Sequence, residues 1–134
     1  MQTFSIPIRI YIEDTDAGGI VYYANYLKFM ERARTEWLRS MGIELDEWQE
    51  KRKMLFVVRS VNIDYLSPAR FNDQIIATLD PVLVKGASLR CDQAIIRGNS
   101  VLTRASVTLA CVNTDTLGPC AIPTTIREAM TVER

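Results

Sequence analysis

The segment Glu13-Asp14-Thr15-Asp16-Ala17-Gly18-Gly19-Ile20-Val21-Tyr22-Tyr23-Ala24-Asn25-Tyr26 gathers residue types that chemistry uses. Asp14 and Asp16 stand just ahead of a helical pattern. A helix N-terminus there would present unpaired backbone N–H groups and the positive end of its dipole. Gly18 and Gly19 would let the backbone approach a ligand closely. Asp and Gly are also ordinary turn residues, and acids are favoured near helix starts, so composition leaves both readings open. The chain contains no histidine. That excludes Ser-His-Asp and Cys-His nucleophiles and His-ligated zinc. Acid–base work must then come from carboxylates, lysines, tyrosines or thiols.

Two specific loop chemistries fail on spacing. If Asp14 opened a calcium-binding loop, Gly18 would fall at position five and Asn25 at position twelve. The third side-chain ligand and the bidentate Glu would both be missing. A phosphate-cradling loop fails too, because Gly18-Gly19 has no third spaced glycine and no Gly-Lys-Ser/Thr.

The flanking patterns show which elements must position this segment. Upstream, Phe4, Ile6, Ile8, Ile10 and Ile12 alternate with other residues through Glu13, which predicts a strand. Pro7 suits its start or a sheet edge. Downstream the period lengthens: Tyr22, Tyr26, Met30, Ala33, Trp37 and Met41 make one helical stripe, and Gly42 follows where a glycine stops a helix. Arg32 and Glu36 have the spacing of an i,i+4 pair. Met54–Tyr65, Gln74–Val84, Leu89–Ile96 and Val101–Val112 read as four further strands, divided by turn signals at Ser67-Pro68, Lys85-Gly86 and Gly98-Asn99-Ser100. Short connections predict an antiparallel meander. Ile43–Glu50 and Pro123–Met130 add short helices. The expectation is one α+β domain over residues 1–134, about five strands with one long helix on a face. The other face or an edge is left for oligomerisation.

Composition sets the remaining bounds. A chain of 134 residues buries roughly two-thirds of its unfolded surface and needs no staples. Sixteen Lys and Arg balance sixteen Asp and Glu, which gives no support to nucleic-acid binding. Lys51-Arg52-Lys53 reads as a solvated loop. No stretch is long and apolar enough to span a bilayer, and the first residues lack a secretory pattern. Cys91, Cys111 and Cys120 have no Cys-x-x-Cys spacing, so reduced packing thiols in a cytoplasmic protein are expected.

The segment from Asp14 to Tyr26, followed by Phe29-Met30-Glu31-Arg32-Ala33-Arg34, resembles the signature of the hotdog-fold acyl-CoA thioesterases. The branch resembled is that of 4-hydroxybenzoyl-CoA thioesterase and the Tol–Pal-associated acyl-CoA thioesterases. Phe56-Val57-Val58-Arg59, Tyr65-Leu66-Ser67-Pro68-Ala69-Arg70 and Lys85-Gly86-Ala87-Ser88-Leu89 extend the likeness through nearly the whole chain. The resemblance implies a curved antiparallel sheet wrapped on a long helix. It implies a dimer formed by pairing two sheets, often assembled further into a tetramer. It puts the catalytic carboxylate on Asp16 and the N–H that polarises the thioester carbonyl on Tyr23. Lys85 matches a basic CoA-contacting position, with Gly86 and Ser88 beside it.

Those groups suit thioester hydrolysis. Asp16 could activate water or attack directly, the Tyr23 N–H could hold an oxyanion, and a thiolate leaves readily. No metal or redox cofactor is implied. Arg59 and Arg70 suit an interface salt bridge as well as a ligand contact, and Glu31 and Arg34 suit structural ion pairs. Tyr22 and Tyr26 suit packing as well as an acyl pocket. One departure stands out: Tol–Pal-associated members commonly carry histidine where Tyr23 stands, whereas the aromatic-thioester branch carries tyrosine. A non-catalytic acyl-CoA-binding or scaffold protein of the same fold is the alternative.

Overall fold

The computed structural model describes residues 3–132. Strands β1 (Phe4–Arg9), β2 (Met54–Tyr65), β3 (Gln74–Lys85), β4 (Ser88–Arg97) and β5 (Ser100–Asn113) form one antiparallel sheet in the order β1-β3-β4-β5-β2. Helix α1 (Asn25–Ser40) packs across β1, β3 and β4, while α2 (Leu45–Lys51) precedes β2 and α3 (Thr124–Val132) follows β5. This is the hotdog arrangement: an α+β fold with a curved sheet around one long helix.

The sixteen residues of α1 make a rod of about 24 Å. Tyr26, Met30, Ala33 and Trp37 are buried as the stripe predicts, joined by Phe29 and Leu38. They meet Ile75, Ala77 and Leu79 of β3, Leu89, Cys91 and Ile95 of β4, and Val107, Leu109 and Cys111 of β5 in one hydrophobic cluster. Gly42 follows the helix with φ +81°, a conformation glycine adopts without a Cβ clash. Gly86 and Gly98 open the β3–β4 and β4–β5 hairpins, both at φ +60° and at the first central position, which suits type II′ loops.

Four expectations need correction. First, the opening strand stops at Arg9 and Ile12 lies on the surface. The Tyr11 N–H donates to the Asp14 carboxylate and the Asp14 N–H to the Tyr11 carbonyl, closing a 3-10 turn over Ile12–Asp14. Second, Tyr22 lies outside the helix and is 46% exposed, because its N–H is taken by the Asp14 carbonyl. Third, Glu36 pairs with Arg39 rather than Arg32, and Arg39 also reaches Glu44.

The fourth matters most. Only β3, β4 and β5 form a meander; β2 lies at the far edge, beside β5. The segment 66–73 therefore crosses the end of the sheet from β2 to β3, about 14 Å across three strand spacings. The N–H groups of Leu66 and Ser67 donate to the Leu102 carbonyl, which steers the chain over β5. At the other end, Ile10 donates to the Asp73 carbonyl and accepts from Asn72 N–H. Arg97 ties the crossing together, with Nη1 3.3 Å from the Pro68 carbonyl and 2.7 Å from the Asp73 carboxylate.

Of the three thiols expected to pack, Cys91 and Cys111 are in the core and Cys120 is half-buried against it. Cys91 and Cys111 are fully buried, and burial pushes their thiols up to about 12 and about 11. Among the described residues no helix is long and apolar enough to cross a membrane.

Asp73 yields a pH-dependent stability. Burial acts to raise its carboxyl, but the Arg70 N–H and the Arg97 guanidinium outweigh it and hold the group below its ordinary value. A folded value below the unfolded one means the contribution is fully present above about pH 4 and is lost as acid protonates the group. Asp73→Asn should cost about 1 kcal/mol at pH 7, and urea unfolding midpoints of variant and wild type should converge as the pH falls below about 3.

Candidate active site

The site is built where the 66–73 crossing passes beneath the start of α1. Residues 14–22 form a miniature hairpin, with Thr15 opposite Val21. Its rungs run from Asp16 N–H to the Ile20 carbonyl (2.9 Å) and from Tyr22 N–H to the Asp14 carbonyl (3.0 Å). Gly19 turns the tip at φ +80°. The Asp16 carboxylate is exposed and accepts from Gly18 N–H at 2.8 Å. A Cβ on Gly18 would come within 3.3 Å of that carboxylate, so glycine leaves room for it.

The hairpin and the helix hang from one peptide unit. The Ala69 carbonyl accepts from Val21 N–H of the hairpin (2.9 Å), while the Ala69 N–H donates to the Tyr26 hydroxyl of α1 (3.0 Å). Ala69, Val21 and Tyr26 are all buried. Burial raises the Tyr26 hydroxyl above its ordinary value, more than the Ala69 bond lowers it, so at neutral pH it stays an intact O–H. A second bridge joins Ile20 and Arg70.

The first turn of α1 is open. Ala24 stands at the cap position and no side chain caps the helix. Asn25 N–H donates to the Tyr22 carbonyl and Tyr26 N–H to the Tyr23 carbonyl. The N–H groups of Tyr23 and Ala24 have no partner among the described residues. Such donors at a positive helix end can hold a developing negative charge.

Tyr23 also borders a cavity of about 250 Å³, walled by Ile20, Val21, Tyr26, Tyr65, Leu66 and Pro68. The Tyr65 hydroxyl donates to the Tyr23 carbonyl at 3.2 Å, and its ring lies 5.6 Å from that of Tyr26. An apolar chamber beside an uncapped helix end and a carboxylate loop fits an acyl group with a carbonyl at its mouth.

The sequence candidates fall into two groups. Asp16 and Tyr23 share the loop and the turn it feeds. Arg59, Lys85 and Ser88 line a different cavity of about 320 Å³, with Leu117 and Pro119 opposite. Gly86 lies on the same hairpin, its carbonyl accepting from Ile122 N–H and from Arg127. Arg59 sits at a β-bulge in β2. Within one chain the two groups lie at different levels of the sheet: Ile95, in register with Tyr65 through Thr103, is about 23 Å along β4 from Ser88. Arg34 donates to Gln93 Oε1 under the helix, a structural role, and Arg70 anchors the crossing through Asp73. Tyr65, Leu66 and Pro68 are cavity walls that strand and turn patterns do not single out. Their signal was the ordered run Tyr65-Leu66-Ser67-Pro68-Ala69-Arg70.

The family model of the thioesterase-like superfamily matches residues 10–130. The chain belongs to this superfamily. Within the thioesterase-like proteins it is 40% identical to the acyl-CoA thioesterase YbgC of Haemophilus influenzae, over 94% of this chain and 93% of that one. It is likewise 40% identical to the acyl-CoA thioester hydrolase YbgC of Escherichia coli O157:H7, over 92% of each. The solved structure of BH1999, a gentisyl-coenzyme A thioesterase, superposes with a TM-score of 0.84 at 26% identity, covering 92% of this chain and 98% of that one.

Removing the Tyr26 hydroxyl tests the junction. Tyr26→Phe keeps the ring but strands a buried Ala69 N–H, and should cost about 1–3 kcal/mol, read as a lower urea midpoint with an unchanged slope.

Proposed function

We propose that this protein is an acyl-CoA thioesterase that hydrolyses a CoA thioester to a free acid and CoA, acting as a single domain over residues 1–134. The likeness along nearly the full length of both chains to thioesterases that act on acyl-CoA carries this reading. The uncapped turn beside an apolar cavity supports it. Asp16 acts as general base on a water or as the nucleophile itself. In the first course it takes the water proton while oxygen bonds to the thioester carbon. In the second its oxygen bonds to that carbon, giving a mixed anhydride that water then opens. In both, the Tyr23 N–H holds the oxyanion until the C–S bond breaks and CoA leaves as thiolate. A backbone donor is indifferent to its side chain, so tyrosine in place of histidine leaves this step intact.

CoA carries a pyrophosphate and a 3′-phosphate, for which Lys85 and Arg59 supply cations and Gly86 and Ser88 backbone and hydroxyl contacts. Along one chain Ser88 stands about 23 Å of strand from the level of the Tyr23 turn. The free edge of β2 offers a solution. Its inner face leaves Val58 49% and Tyr65 44% exposed, and its outer ladder is open. Pairing two β2 edges antiparallel about a twofold axis sets the Lys85 end of one chain beside the Tyr23 end of the other. A homodimer with two shared sites follows, and pairing of dimers makes the homotetramer we expect. Free thiols at Cys91, Cys111 and Cys120 suit a cytoplasmic setting.

Thiol release measured across aliphatic and aromatic CoA esters tests the activity. Asp16→Asn should lower kcat at least a thousandfold while CoA-ester binding stays within a few-fold; turnover at the wild-type rate would sink the assignment. Val61→Lys on the β2 edge should convert the oligomer to monomer in sedimentation and abolish turnover together. A monomeric variant with full activity would refute the shared site.

A further inference from the structure

The hairpin that carries Asp16 and the turn that carries the Tyr23 N–H meet at the Tyr22–Tyr23 junction. Two rigid pieces joined at one junction can rotate against each other unless a second tie spans them. Asn25 provides one directly. Its Nδ2 donates to the Asp14 carbonyl at 2.8 Å, in a half-buried position, reaching eleven residues back along the chain. The acceptor is a carbonyl, so the amide nitrogen must be the atom that faces it. The same carbonyl accepts from Tyr22 N–H, which fills both of its lone pairs.

Asn25 is the first helical residue, one past the cap position held by Ala24, so its side chain is not placed to cap the first turn. The N–H groups of Asn25, Tyr26 and Leu27 already donate to the carbonyls of Tyr22, Tyr23 and Ala24. The Asn25 amide instead reaches back to the hairpin, and the Tyr23 and Ala24 N–H groups stay unpaired among the described residues.

We propose that Asn25 is a positioning residue whose side-chain amide latches the Asp14 carbonyl, fixing the Asp16 hairpin against the turn that presents the Tyr23 N–H. The proposal rests on the reading above of Asp16 and the Tyr23 N–H as the reacting pair. The Ala69 peptide links hairpin and helix through a third segment, whereas Asn25 links them without an intermediary. Loss of the latch leaves the fold anchored and loosens the spacing between base and oxyanion donor. Displacements of about 1 Å at such a site cost up to about a hundredfold in rate.

The test compares Asn25→Ala and Asn25→Asp with wild type and with Asp16→Asn. The substrate is whichever of butyryl-, palmitoyl- and benzoyl-CoA the wild type turns over fastest. Both Asn25 variants lack the donor, but Asp places an acid in the first helical turn, which supports the helix. The expected result is a fall in kcat of about 10- to 100-fold in both, with KM within about twofold and the thermal unfolding of Asn25→Asp close to wild type. If Asn25 merely stabilises the helix, Asn25→Asp keeps wild-type kcat, and that outcome overturns the latch. An Asn25→Asp protein with full turnover beside an inactive Asp16→Asn protein refutes the latch alone. Full turnover in Asp16→Asn, or none in the wild type, refutes the functional reading beneath it.

Discussion

The Ala69 peptide unit carries one donor and one acceptor, and both are committed in a buried setting: the N–H to the Tyr26 hydroxyl of α1, the carbonyl to Val21 of the Asp16 hairpin. A buried peptide cannot exchange those partners for water without a cost of about 1–3 kcal/mol per group. The segment 66–73 therefore cannot shift without dragging the helix start and the hairpin with it. Its own path is fixed from both sides, by Leu102 beneath Leu66 and Ser67 and by Arg97 spanning Pro68 and Asp73. The candidate site is an arrangement of three backbone segments around this one peptide. Its geometry belongs to none of them singly.

The sheet's two edges differ in what they offer. β1 is short, contains Pro7 and lies under the reach of α1. β2 is long and lies beyond it, so the residues it turns toward the helix side stay half-open to solvent. A single helix about 10 Å wide cannot cover five strands spaced about 4.8 Å apart. The uncovered edge is thus a geometric consequence of the fold. The proposed pairing of two chains uses this edge.

Particular residues show how far reading the string could go. The α1 stripe was legible in Met30, Ala33 and Trp37 because a helix against a sheet buries one side at a fixed period. The hairpins at Gly86 and Gly98 were legible because positive φ selects glycine. Tyr22 and Ile12 misled for a shared reason. Both continue a regular apolar pattern, but the Asp14 carbonyl and carboxylate take the neighbouring N–H groups and end the regular structure locally. The Ser67-Pro68 signal correctly marked the end of β2. It could not say whether the chain turns back beside β2 or crosses to the other edge.

What the sequence determined by itself was local and chemical. It supplied the alternation and stripe that build a sheet and a helix, and a histidine-free inventory that leaves carboxylates, lysines, tyrosines and thiols as the acid–base groups. It also supplied the ordered run from Asp14 to Tyr26. Tertiary structure alone decided the strand order, the exposure of β2, and the separation of Lys85 and Arg59 from Asp16 within one chain. It also brought the Asn25 amide onto the Asp14 carbonyl. These are pairings between segments distant along the chain. Each depends on which backbone groups find partners once water is excluded, and residue type and spacing do not encode that choice.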